Sequence, residues 1–298
     1  MGITVIPAYR VVARLAKQAR TLPFEEGLNV IESGTREYVR SLFSLLHPSI
    51  MDLGERTAIT QLGDPAVDEL IDAIAQIEEG SPKELAEATL AECSRHISRP
   101  DLVSKVVLLP GDGQSRVLVN QMNGVLGFSM GSQAMALFLW PAEGWQRWLA
   151  YTIAHEYFHL VRNLLFPRSV TGGKLVFVKS KEAETLLDAM IVEGMADTFA
   201  MKVCPDIRPA WIDAIRPDDE AYLWPRIHRR LAVSNPGEVR RLLFGDNDRI
   251  PPWTGYTLGY RMVQKYLQAY PETALGYLVT LPADQVYASG GYAPPPSS

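Results

Sequence analysis

The chain has 298 residues, 47% hydrophobic and 21% charged, with a net charge of −5 and a pI near 5.6, an ordinary globular composition with room for a large core in one or two domains. The acidic balance does not suggest nucleic acid or an anionic membrane surface as a partner, since both want a basic face, and Val125 to Trp140, the longest apolar stretch, is too short and too broken by Gly, Ser and Gln to span a bilayer. No signal-peptide pattern follows Met1, and Cys93 and Cys204 make neither a disulfide framework nor a C-x-x-C pair, so a reducing, cytoplasmic setting is expected.

Residues 3–6 read as a short strand, Tyr9 to Arg20 as a helix, and Thr35 to Leu46 as another, with Val39, Leu42, Phe43 and Leu46 at helical spacing. Asp64-Pro65 is a helix start, followed by the apolar face Val67, Leu70, Ile71, Ile74 and Ile77. Ser81-Pro82-Lys83-Glu84 is a second start with capping-box spacing. The first hundred residues thus form a helical N-terminal region, and His47 and His96 within it are expected to be surface or capping histidines.

The texture changes near Asp101. Val103 to Leu109 is a strand, Pro110 to Gly113 a turn, Arg116 to Asn120 a possible strand, and Ala134 to Trp140 a strand leading to the next helix. Gly124 to Gly131 is glycine-rich, but no Gly-Lys-Ser/Thr follows, so it does not read as a phosphate loop. The run from Trp145 to Leu164 is helical and stops at Pro167. Arg168 to Lys181 is a hairpin or loop, Glu182 to Val203 a helix, and Trp211 to Leu231 mixed. A short helix follows Pro236-Gly237, another runs from Tyr256 to Tyr270, and a Gly, Pro and Ser-rich tail closes the chain, with no internal repeat. The expected fold class is α+β: a helical region over residues 1–100, a domain with a small sheet and mostly helical remainder over 101–285, and a tail over 286–298.

The helix from Trp145 carries His155-Glu156-Tyr157-Phe158-His159, an H-E-x-x-H motif. Residues four apart on a helix stack on one face, so His155 and His159 can grip one zinc ion, with Glu156 beside them as general base. Burying these groups mid-helix without a partner would be costly. A catalytic zinc needs a third ligand. The extension H-x-x-G-x-x-H fails, because Arg162 and Leu165 occupy its positions. The later helix offers Glu184 and Glu193, nine positions apart and out of phase. Glu184 is expected in a solvated first turn and Glu193 among Met190, Ile191, Val192 and Met195, which favours Glu193 as ligand. Asp197, on the same face, is placed to accept a hydrogen bond from a ligand histidine.

With Glu193-Gly194-Met195-Ala196-Asp197 following the second histidine after 33 residues, the chain resembles the glutamate-ligand zinc peptidases, the class of thermolysin and the aminopeptidases. More fully it resembles a bacterial family described as predicted zinc-dependent proteases, with a heat-shock-associated member. The pieces are Ala154 to His159, Leu186 to Ala196 and Gly255 to Tyr260, over roughly residues 100 to 282. This likeness implies a zincin-like domain, a zinc cofactor and a peptide or protein substrate. It implies that Tyr256, in Tyr-x-x-Gly, stabilises an oxyanion, with Tyr260 and His228 in reserve, and that Ala134 to Leu139 is an edge strand able to bind peptide main chain. The reading is a zinc metallopeptidase; the alternative is a zinc-stabilised binding or regulatory protein that cuts nothing.

Overall fold

The structure is a computed structural model describing residues 2–44, 57–63, 66–171, 174–177, 182–246 and 248–293. It has two compact units, residues 1–160 and 161–298. His47 and the Asp64-Pro65 start lie outside the described residues.

The first unit holds β1 (Gly2–Ile6), α1 (Tyr9–Ala19), α2 (Phe24–Phe43), α3 (Val67–Glu79), α4 (Pro82–His96), β2 (Val103–Pro110), β3 (Val125–Met130) and β4 (Ala134–Leu139). Most of α5 (Trp145–Leu165) follows. The mixed helix and sheet content agrees with an α+β class. Helix α2 begins about ten residues before the expected Thr35, because Phe24 to Gly34 continues the same helix. Helix α4 starts where the sequence placed it, but Ser81 takes a left-handed conformation and its side chain caps nothing.

The sheet order is β1-β2-β4-β3, with β1, β2 and β4 parallel and β3 antiparallel to β4. Two expectations change here. All six residues of β4 are buried and it is paired on both sides, so it is a central strand, and β1 and β3 are the two edge strands. A continuous apolar run is what a strand covered on both faces requires, whereas an edge strand mixes in smaller and polar residues, as Gly127 and Ser129 do here. Arg116 to Asn120, expected as a possible strand, instead falls on a π-helical turn, Val117–Gln121, in which Met122 N–H donates to the Val117 carbonyl at 2.9 Å. Only Leu118 of this run is buried, and the turn pairs with no strand of the sheet.

The second unit holds the end of α5, the hairpin β5 (Arg168–Thr171) and β6 (Lys174–Phe177), α6 (Leu186–Val203), α7 (Pro217–His228), α8 (Pro236–Phe244), α9 (Thr254–Ala269), α10 (Leu275–Leu278) and α11 (Ala283–Gly290). Helix α6 starts at Leu186, four residues later than expected. Thr185 and Asp188 form a capping box: Thr185 N–H donates to Asp188 Oδ2 at 2.8 Å and Asp188 N–H to Thr185 Oγ1 at 3.2 Å. Helices α6 and α9 cross in backbone contact. A Cβ on Gly259 would overlap the Met190 carbonyl, and one on Gly194 would overlap the Gly259 carbonyl. Both positions are helical, so the glycines serve proximity here and cost helix propensity.

Gly259→Ala should therefore force the α6–α9 crossing apart and lower stability by about 1–3 kcal/mol, the usual cost of overpacking a tight contact. Gly237→Ala, where a Cβ meets nothing nearer than Asn235 Oδ1 at 3.4 Å, should be near neutral. Urea unfolding of the two variants is the check, and equal midpoints would contradict this account of the crossing.

Candidate metal centre

Helix α5 positions the motif by burial. Ile153, Ala154, Tyr157, Phe158, Leu160 and Val161 are fully buried, and Tyr157 Oη donates to the Ile97 carbonyl at 2.6 Å, fixing the helix rotation. On the remaining face His155 and His159 stack one turn apart, with Nε2 atoms 3.0 Å from each other. His159 is 7% exposed and Glu156 6%.

Strand β3 runs beside Glu156. A Cβ on Gly127 would meet Thr152 Cγ2 at 2.6 Å, Glu156 Cγ at 2.7 Å and Glu156 Oε1 at 3.0 Å. Any side chain at residue 127 would take the space the Glu156 carboxylate uses. The glycine is therefore explained by close approach of strand and helix, not by a loop. A lone glycine inside an apolar, strand-like run is the signal that marks this residue in the sequence.

A candidate third donor stands on α6. Among the described residues, His155, His159 and Glu193 form a group that could hold a metal ion, each offering one ligand atom and all three atoms lying within 4.8 Å of one another. Two imidazoles and one carboxylate are a catalytic zinc donor set, and two ring nitrogens 3.0 Å apart are well placed to share one cation.

Glu184 stands elsewhere. It precedes α6, so the argument from helical phase does not apply to it, and it is not solvated. Its carboxylate is largely buried, ion-paired with Arg168, which also donates from Nε to Asn163 Oδ1 at 3.1 Å. Desolvation pushes the Glu184 carboxyl up against the opposing pull of Arg168. Arg162, which displaces the glycine of the longer histidine motif, is buried on α5. Its Nη1 donates to the Val279 and Leu281 carbonyls at 2.7 and 2.6 Å, and its guanidinium lies 3.9 Å over the Phe166 ring. Burial pulls its pKa down to about 10. It ties the end of the histidine-bearing helix to the C-terminal segment. Nothing in the local sequence marks that role, since both partners are backbone carbonyls more than a hundred residues away.

Asp197 is fully buried on α6 and its Oδ2 accepts from Trp211 Nε1 at 3.0 Å. Tyr256 is half-buried near the start of α9, its ring 5.4 Å from those of Phe244 and Trp253. Tyr260 lies one turn on, its phenol raised by desolvation with Arg208 pulling it back. His228 ends α7, exposed, with its ring 5.3 Å from Trp224. Neither Cys93 nor Cys204 forms a disulfide, and burial raises the Cys204 thiol to about 11. Among the described residues no helix is long and apolar enough to cross a membrane.

A family model described as "Predicted Zn-dependent protease" matches residues 83–288, beginning within α4 and so reaching further towards the N-terminus than the sequence motifs alone. No curated protein and no solved structure matches the chain.

The purified protein should carry about one zinc per chain, the stoichiometry of a single three-ligand site. His159→Ala and Glu193→Ala should lose it, and Glu184→Ala should keep it. Metal analysis finding Glu193→Ala loaded and Glu184→Ala empty would reverse the assignment of the third ligand.

Proposed function

The chain belongs to the family of predicted Zn-dependent proteases, and from that premise we propose that it is a zinc metallopeptidase of the glutamate-ligand type. It hydrolyses peptide bonds in a peptide or protein substrate on a zincin-like scaffold. The observation that carries this reading is the grouping of His155, His159 and Glu193, with Glu156 buried next to the first of them. A purely structural zinc site has no use for that fourth group.

Bound zinc would supply a Lewis acid for the substrate carbonyl and lower the pKa of water towards neutrality. Glu156 takes the proton from the attacking water and passes it to the leaving nitrogen. Its position over Gly127 supports this, because the carboxylate is held in a mostly dry place beside the edge strand β3. The outer edge of β3 offers main-chain donors and acceptors on which an extended peptide can be laid. Tyr256 donates to the oxyanion, with Tyr260 and His228 as the other phenol and imidazole in reserve. Support for Tyr256 is its partial exposure near the start of α9, a helix in backbone contact with α6. Asp197, buried one turn beyond Glu193, orients a ligand histidine. A cytoplasmic setting belongs to the same reading and is supported by two cysteines that form no disulfide.

Glu156→Gln should keep zinc and fold while hydrolysis falls by about 10²–10⁴-fold, the contribution typical of positioned proton transfer. Tyr256→Phe should lower kcat by about 10²-fold with KM and zinc content unchanged. Steady-state kinetics on a cleaved peptide tests both. A Glu156→Gln enzyme as active as wild type removes the mechanism. A wild type that cleaves nothing in a broad peptide library leaves a zinc-stabilised binding protein in its place.

A further inference from the structure

Helix α9 is preceded by a strained residue. Trp253, its N-cap, has φ +63° and ψ 16°, in the left-handed region. Among the described residues only Ser81, Asn123 and Trp253 have positive φ without being glycine, and Trp253 is the bulky one. Bulky side chains are rare in that region, which glycine enters without steric cost. Capping does not explain the choice, because the side chain caps nothing. Strain of this kind persists where the surroundings hold it, often at ligand-binding sites.

The turn aims the indole at other rings. It stands edge-on to Tyr256 at 5.4 Å and 81° and to Phe244 at 5.5 Å and 62°, and tilted against Trp211 at 5.8 Å. Phe244 and Tyr256 are 5.4 Å apart. The cluster is rooted and open at once. Trp211 is 6% exposed, whereas Phe244 is 39% exposed and Trp253 and Tyr256 partly so. The root leads to the ligand-bearing helix, since Trp211 donates to Asp197, one turn beyond Glu193 on α6. The Arg240 guanidinium lies 5.6 Å over Phe244, placing positive charge at the rim.

We infer that Trp253, with Phe244 and Tyr256, forms a subsite for a large apolar, preferably aromatic, side chain of the peptide substrate; this rests on the peptidase reading. Edge-to-face packing gives an incoming ring specific partners beyond the area it buries. Adjoining apolar rings left partly exposed in one patch are a surface on which an apolar group can dock. The rim charge disfavours a Lys or Arg side chain and leaves a neutral ring the preferred occupant.

The test uses the zinc-loaded full chain and peptides differing at one scanned position: Phe, Trp, Leu, Ala, Asp or Lys. Wild type should prefer Phe or Trp over Ala at one position by about tenfold or more in kcat/KM, the discrimination an apolar pocket supplies. Trp253→Gly suits the left-handed backbone and removes the indole, and it should bring that ratio to within about twofold of unity. Trp253→Phe should keep most of the preference. Using a ratio within each variant cancels any change passed on to Tyr256, and thermal melting and zinc analysis check the fold and the metal. A wild type without aromatic preference, or a Trp253→Gly chain with the wild-type ratio, overturns the subsite. If wild type cleaves no peptide, the same peptides are titrated by calorimetry. Tighter binding of the Phe peptide than the Ala peptide, lost in Trp253→Gly, keeps the subsite and removes the peptidase reading; equal binding removes the subsite.

Discussion

Helix α5 is buried on nearly every side and still carries His155, Glu156, His159 and Arg162 in its middle and last turns. Ionisable groups in that setting are costly unless each has a partner, and the neighbouring structure follows from meeting that demand. The histidines face each other and share a donor group with Glu193. Glu156 fits against a strand whose glycine makes room for it. Arg162 spends its charge on two carbonyls and a ring face. Arg162 shows how far such compensation reaches: its partners at residues 279 and 281 give the last described segments a reason to return to this helix.

Glycine serves a consistent purpose around the site. At Gly127 the missing Cβ makes space for a carboxylate, and at Gly194 and Gly259 it lets two helix backbones touch. Each lowers intrinsic strand or helix propensity. Each also fixes a distance that a side chain would lengthen, and distances at a metal or catalytic centre tolerate little slack. Trp253 is the converse: a bulky residue in a backbone conformation suited to glycine, its ring held by neighbouring aromatics.

The preference for Glu193 over Glu184 rested on a picture that the structure alters in part. Met190, Ile191 and Met195 around Glu193 are buried as expected, because side-chain burial along one helix is a local property. The reasoning that Glu184 occupies a solvated first turn does not hold. The capping box at Thr185 and Asp188 begins the helix later, and Arg168 from the preceding hairpin neutralises a buried Glu184. The cap was legible in Thr185-x-x-Asp188. The ion pair was not, because it depends on where a hairpin turns back.

Local periodicity was sufficient for much of the site. Spacing alone put His155 and His159 on one helical face with Glu156 beside them, and cap and breaker residues located α4, α8 and α9 to within a few residues, since these features depend on contacts within one or two turns. Long-range pairing decided the rest. Which strand lies at the sheet edge, whether Val117–Gln121 joins a sheet, what Arg162 and Glu184 are paired with, and why residue 127 has no side chain all depend on partners distant in sequence. A strand's own residues state how buried it is but not who lies beside it, and a buried charge states that it needs a partner but not which one. Those identities were fixed when the chain packed.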